Sequence, residues 1–525
     1  MQQENLVEYG ARRVIITITA IFCALLEIVD TTIVNVALND MRGNMGATLS
    51  EIGWVITAYA IGNVIVVPMT SWLSQQFGRR NYFAVSIIIF TISSFLCGNA
   101  HTLWELVLFR FIQGLGGGAL LVTSQTIITE SYPPEKRGMA QAIYGLGVII
   151  GPTLGPPLGG YIVDNFAWPY IFYINIPIGV IATLLTLQFV RSPKYAEKKS
   201  ASEIDWWGIG FLAMAVGSLQ YVLERGQEDD WFNDTTILVL GVAAVLGFFF
   251  FIWRELVYKN PIVELRVLAN PNLRVGTLLS FLLGFGLYGS TFIIPLYTQG
   301  LLGWTATQSG MLMIPAALMT AVMMPLIGKL LEKGIPNQYL VAAGMVLFFV
   351  YSFWGYKIIT PDTGKDDFFW MLIVRGIGMG MLFIPITALS LSTLKGQQIG
   401  QGAAFTGMMR QLGGSFGVAL ITTFVSRRNE LHRMDLVSKL DTNNPEVMNR
   451  VHSAAASWAS KGMDTKSALG SAYQGLEYSV LKQATVMSYM DVFLYLGILF
   501  LVCVPFVLMV KSNKQQGKLD ASAMH

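Results

Sequence analysis

The sequence predicts an all-α integral membrane protein of fourteen transmembrane helices, arranged as two six-helix bundles with an inserted helix pair. Three observations lead there. Hydrophobic residues make up 53% of the 525 residues and charged residues only 13%, about half the charged share of an ordinary soluble protein. Apolar runs near the twenty residues that cross roughly 30 Å of hydrocarbon recur fourteen times. Segments of the first half reappear in the second, separated by eight spans rather than six.

In chain order the runs lie near 14–38, 53–73, 81–98, 104–129, 138–163, 167–190, 206–224, 235–253, 275–298, 306–328, 338–356, 368–393, 402–426 and 486–510. The first is longer than a signal-peptide core, carries Glu27 and Asp30 and lacks a clear cleavage site, so it is read as a retained span. The seventh is the least apolar, ending in Gln220 and Glu224. Of 35 Lys and Arg residues, twenty fall in segments on the side of the N terminus and only four, Arg42, Arg225, Lys357 and Lys365, in the short loops opposite. Cytoplasmic loops carry that excess, which places both termini in the cytoplasm of a cell whose inner (plasma) membrane holds the chain.

The repeats refine the architecture. PMTSWLSQQFGRRNYF at 68–83 aligns with PLIGKLLEKGIPNQY at 325–339, and LVLFRFIQGLGGG at 106–118 with MLIVRGIGMGMLF at 371–383, which sets Arg375 opposite Arg110. The expected organisation is an N-terminal bundle over 1–190, a linker with two extra spans over 191–270, a C-terminal bundle over 271–511 and a tail over 512–525. Loop 427–485, inside the second bundle, contains VMNRVHSAAASWA at helical spacing and is expected to form amphipathic helices beyond the membrane.

Several function classes fall away. A net charge of +3 gives no bulk cationic surface for nucleic acid. Cys23, Cys97 and Cys503 sit in apolar runs without a CxxC pair, and four histidines form no cluster, so neither a disulfide framework nor a metal site is expected. GLGGG at 114–118 has no preceding strand and no GK[ST], which argues against a nucleotide loop. No cofactor is expected; the proton gradient is the energy source that remains. With no nucleophile elbow or metal cluster in view, the chain is not read as an enzyme.

Ionisable residues inside spans are costly and mark function by default. Glu27 and Asp30 lie three residues apart, on one face of the first span, and are the candidates, Asp30 ahead of Glu27, to take up and release a proton, or else to form a static pair or a buried hydrogen bond. Arg110 cannot shed its proton and must find an anion or a carbonyl. It begins a stripe with Gln113 and Gly114. Arg375 and Arg410, with Phe285, Tyr288 and Phe292 at i, i+3 and i+7, are candidates for the lining of a substrate cavity. Gly147, Gly151, Gly155 and Gly159 recur every four residues, with Pro152, Pro156 and Pro157 among them, predicting a closely packed, kinked fifth span. Gly78, Arg79 and Arg80 form the tight turn after the second span, an anchor or part of a gate.

On these motifs the sequence resembles the major facilitator superfamily, in particular its fourteen-span drug:proton antiporters and the EmrB-type multidrug exporters among them. VDTTIVNVAL matches the first-span motif L-D-x-T-I-V-N-V-A-L, with Val29 for Leu. Arg110, Gln113 and Gly114 match R-x-x-Q-G, and Gly151, Gly155, Pro156, Gly159 and Gly160 match the exporter motif G-x-x-x-G-P-x-x-G-G. One motif departs: G-x-L-A-D-R-x-G-R-R reads SWLSQQFGRR, with Ser71, Gln75 and Gln76 for Gly, Asp and Arg. A latch between bundles that rests on that Asp must be replaced, with Glu332 and Lys333 of the second copy as candidates.

The resemblance implies a proton-driven antiporter exporting hydrophobic and amphipathic compounds by alternating access. It also implies a periplasmic adaptor protein and an outer-membrane channel as partners, besides membrane lipid. A proton-coupled nutrient or metabolite importer on the same fold is the alternative within transport, disfavoured by the Gly/Pro motif. A non-transporting receptor or scaffold is the alternative from another class, disfavoured by the carboxylates at 27 and 30.

Overall fold

A computed structural model describes residues 6–133, 136–193, 204–441 and 443–509. The expected tail 512–525 and most of the linker 191–204 lie outside the described residues. Apolar composition drives each span into helix, because a backbone in hydrocarbon must satisfy its own N–H and C=O groups. The first bundle comprises α1 (Gly10–Met45), the short α2 (Leu49–Ile52), α3 (Trp54–Phe77), α4 (Arg79–Gly98), α5 (Leu103–Ser131), α6 (Arg137–Asn165), α7 (Tyr170–Tyr173) and α8 (Asn175–Phe189). The inserted pair is α9 (Trp206–Arg225) and α10 (Thr235–Val257). The second bundle comprises α11 (Pro271–Gly300), α12 (Ala306–Glu332), α13 (Asn337–Ile358), α14 (Lys365–Leu391), α15 (Gln397–Ser438), α16 (Pro445–Ser460) and α17 (Thr465–Leu508).

Thirteen spans among the described residues are long and apolar enough to cross a membrane, α7 and α8 together making one of them. The fourteenth is α15, whose apolarity is diluted by Gln401, Arg410, Gln411 and repeated glycines, but which packs against α11, α17 and α3 as a bundle helix. Local signals set the boundaries. Asp205, Asn270 and Asp464 cap α9, α11 and α17 by accepting from the first free amides. Gly78 alone separates α3 from α4, at φ +79°, a backbone that L side chains resist.

Segment 427–485 is helical as expected over VMNRVHSAAASWA, which lies in α16, but α15 and α17 add an extension that hydropathy does not indicate. The segment 427–485 is not a loop between spans: α15 continues unbroken to Ser438 and α17 begins at Thr465, so both helices run on beyond their apolar stretches, with α16 packed on α17. Apolarity ends near residue 426 but no glycine or proline follows it before Pro445, and side chains hold the paired extensions. Arg428 and His432 both meet Asp491, the latter at 2.9 Å; Asn429 donates to Thr485 at 2.6 Å, and Arg433 pairs with Glu477 at 2.6 Å.

The prolines of α6 do not interrupt it; the described helix is continuous from Arg137 to Asn165. Its glycines form a groove for α1. A Cβ at Gly151 would come within 2.5 Å of Ile28, one at Gly159 within 2.7 Å of Ile33, and one at Gly155 would overlap Thr32. The other side of α6 meets α12 of the second bundle, with Pro157 against Gly310 and Gly160 against Thr307. This helix therefore touches both bundles along its length.

Candidate functional site

The glycines of α5 bring the site together. Gly114 and Gly118 leave no room for side chains against the backbone of Tyr59 and Asn63, so α3 lies close enough to present both residues beside Arg110 and α1. Asp30 is 0% exposed and Arg110 1%. Arg110 Nη1 donates to Asp30 Oδ2 at 2.6 Å and to Gln113 Oε1 at 2.7 Å, and its Nε donates to the carbonyl of Val55 at 3.2 Å. The second carboxylate oxygen, Oδ1, accepts from Gln113 Nε2 at 3.0 Å and from Asn175 Nδ2 at 2.8 Å. Ser94 closes the network by accepting from both amides, and the guanidinium lies 4.1 Å from the centroid of Tyr59. Asp30 is thus a carboxylate with three donors, at the centre of a pair that is satisfied on every side.

Glu27 is placed differently. It is 5% exposed and accepts one hydrogen bond, from Asn63 Nδ2 at 2.9 Å; among the described residues no cation reaches ion-pair distance of it. It looks toward the second bundle. Arg410 of α15 lies within electrostatic range of Glu27, and Tyr144 of α6 and Tyr288 of α11 lie within range of both. Along the same face of α1, Thr31 is half-buried and Asn35 exposed.

The other sequence candidates divide by place. Tyr288 and Phe292 are half-buried on α11, whereas Phe285 is buried where its backbone packs on Gly417 of α15. Arg375 does not join the centre. It is held within the second bundle by Ser290 at 2.9 Å and Thr291 at 2.5 Å. These hydroxyls hold Arg375 where a carboxylate holds Arg110, so the second half keeps the arginine without an acidic partner among the described residues.

At the membrane face that carries the N terminus, the near face, Arg79 makes a bidentate pair with Glu130 at 2.5 and 3.1 Å. The Arg80 amide donates to Ser192 at 3.0 Å. Gln75, standing where the motif has Asp, accepts from Gln397 Nε2 of the second bundle at 2.6 Å. This amide pair crosses between bundles. Glu332 and Lys333 are exposed and make no ion pair among the described residues. A cavity of about 240 Å³ beside the amide pair is lined by Trp72, Gln75, Lys259, Glu264, Gln397 and Gln401; it lies apart from the buried carboxylates.

Sequence reasoning did not single out Asn63, Asn175, Ser94, Tyr59 or Glu130. Each is a polar or aromatic residue within an apolar helix or at its end. Their signal is the cost of burying a polar group without a partner, and the partner is set only by tertiary packing.

The profile described as Major Facilitator Superfamily matches residues 20–418. The chain belongs to this superfamily, in its EmrB-type branch. It is 35% identical over 447 residues to the multidrug export protein EmrB of Escherichia coli K12, covering 85% of this chain and 86% of the relative. Over 509 residues it is 33% identical to the fatty acid resistance protein FarB of Neisseria gonorrhoeae, covering 97% and 98%. A solved structure of the proton:xylose symporter XylE superposes with a TM-score of 0.59 at 15% identity, over 95% of this chain and 96% of that one. That likeness is one of fold. As a major facilitator protein the chain is a multi-pass membrane transporter, and its centre is the seam between two helical bundles.

Proposed function

We propose that this transporter is a proton-driven efflux antiporter that exports hydrophobic and amphipathic toxic compounds from the cytoplasm across the inner membrane, by alternating access around the seam. Glu27 carries the exchanged proton. The observation that supports this is its placement: a buried carboxylate with one amide partner, facing aromatic side chains of both bundles. Asp30 has its oxygens committed to Arg110, Gln113 and Asn175, which suits a group that senses Glu27 and fixes conformation rather than the first to exchange. Each proton moved inward releases about 1.4 kcal/mol per pH unit and about 2.3 kcal/mol per 100 mV.

The names of the relatives, multidrug export and fatty acid resistance, support the export of apolar compounds. Both termini lie in the cytoplasm on this reading. The helical extensions of α15 and α17 then project from the opposite face, as the surface offered to a periplasmic adaptor and, through it, to an outer-membrane channel. The test is efflux of a fluorescent lipophilic cation from proteoliposomes under an imposed pH gradient. Gradient-dependent efflux is expected from the wild type and none from Glu27→Gln. Gradient-driven efflux in Glu27→Gln equal to the wild type would overturn the assignment.

A further inference from the structure

The proton reading leaves Arg410 without a task. Its side chain is 3% exposed, so it is a buried cation, and its Nη1 has no hydrogen-bond partner. Its guanidinium lies 5.3 Å from the centroid of Phe383, which in turn lies 6.4 Å from the ring of Tyr144. Among the described residues no carboxylate makes an ion pair with it. A guanidinium cannot neutralise itself by releasing a proton, and an unmatched donor buried beside aromatic faces is a standing demand for an anion.

The charge that faces Arg410 across the seam is Glu27. The groups around Glu27 are Asp30 on its own helix, closed in its pair with Arg110 of α5; Tyr59 and Asn63 of α3; Tyr144 of α6; Tyr288 of α11; and Arg410 of α15. With Asp30 and Arg110 cancelling, the net charge of the centre is set by Glu27 and Arg410 alone. It is zero when Glu27 is ionised. It becomes +1 when Glu27 takes a proton.

We propose that Arg410 forms a proton-gated site for an amphipathic organic anion, open only while Glu27 is protonated, with the anionic head on the free guanidinium N–H and the apolar body against Phe383, Tyr144 and Tyr288. The proposal rests on Glu27 being the proton site. The proton binds a Glu27 carboxylate oxygen, the anion binds Arg410, no covalent bond changes, and the centre returns to zero net charge. Anion and proton therefore bind together, whereas a lipophilic cation and the proton exclude each other.

The test compares tetraphenylborate and tetraphenylphosphonium, permanent ions of one shape, binding to the full-length protein in nanodiscs at pH 8 and pH 5.5. For the wild type, tetraphenylborate is expected to bind at least tenfold more tightly at pH 5.5, and tetraphenylphosphonium more weakly. Arg410→Met loses the acid-side gain for tetraphenylborate while tetraphenylphosphonium binding, which reports a folded centre, persists; Arg410→Lys keeps part of the gain. Tetraphenylborate affinity in Arg410→Met that rises on acidification as in the wild type overturns the proposal, as does absence of the gain in the wild type. Glu27→Gln is expected to bind tetraphenylborate tightly at both pH values. If it instead keeps the wild-type pH response, the proton site is elsewhere and the gating falls, while loss of binding in Arg410→Met still identifies the anion site.

Discussion

Replacing Asp30 by alanine should destabilise the protein more than replacing its partner Arg110 by methionine, and the two changes together should cost less than their sum. Asp30→Ala removes the acceptor of three donors, at 2.6, 3.0 and 2.8 Å, and strands a guanidinium that is 1% exposed. Breaking a buried pair from one side costs about 3–5 kcal/mol. Arg110→Met leaves Asp30 two amide donors, and a carboxylate, unlike a guanidinium, can also take a proton; its cost should fall toward about 2 kcal/mol, that of a buried group losing one charged hydrogen bond. The double variant removes both charges, so a coupling of about 2 kcal/mol or more is expected, well beyond the roughly 0.5 kcal/mol within which independent sites add. Cooperative unfolding in mixed micelles by titration with dodecyl sulfate measures all three. Equal costs for the two single variants, or additivity in the double, would refute the reasoning.

Two further outcomes follow from contacts at the edges of the molecule. Gln75 and Gln397 meet across the bundles at 2.6 Å, so Gln75→Cys with Gln397→Cys, made in a Cys503→Ser background, should be joined by a short, reducible bifunctional thiol reagent and stop transport until reduced; retained transport in cross-linked protein would show that this contact does not open during the cycle. Asp464 caps α17, and hydrogen bonds from Ser467 and Lys466 hold its carboxyl below the ordinary value. A lowered pKa means that the cap stabilises the helix start fully above the ordinary aspartate value of about 3.9 and is lost as pH falls through the lowered one. Amide exchange at residues 466–468, corrected for intrinsic rate, should therefore rise only below about pH 4 in the wild type and be raised already at neutral pH in Asp464→Ala; equal protection in the two proteins at neutral pH would remove the cap from the account.

How far the sequence speaks depends on which force sets each feature. Bilayer thickness and backbone satisfaction act on composition alone, so the membrane spans, the Gly78 turn and the glycine groove of α6 are legible in the residues themselves. The extensions of α15 and α17 are not legible as such, because hydropathy reports where apolarity ends and not where helix ends; ion pairs such as Arg433 with Glu477 keep these helices going through water. In the site, spacing put Glu27, Asp30 and Arg110 together as ionisable residues in apolar spans. It ranked Asp30 ahead of Glu27 as a proton carrier. The difference between them lies in partners from α4, α5 and α8 that converge on Asp30, and in the second bundle that faces Glu27. Arg110 and Arg375 look equivalent by repeat, yet only Arg110 has a carboxylate opposite, while Arg375 is held by the hydroxyls of Ser290 and Thr291.

The central claim is that Glu27 exchanges a proton for the transported compound. Proton release on ligand binding tests it most directly: purified protein in lightly buffered detergent, with a pH indicator, titrated with tetraphenylphosphonium near the pH at which Glu27 is half protonated. The account predicts about half a proton released per bound cation at that pH in the wild type, rising toward one at lower pH, and none in Glu27→Gln that still binds the cation. Undiminished release from Glu27→Gln would contradict it.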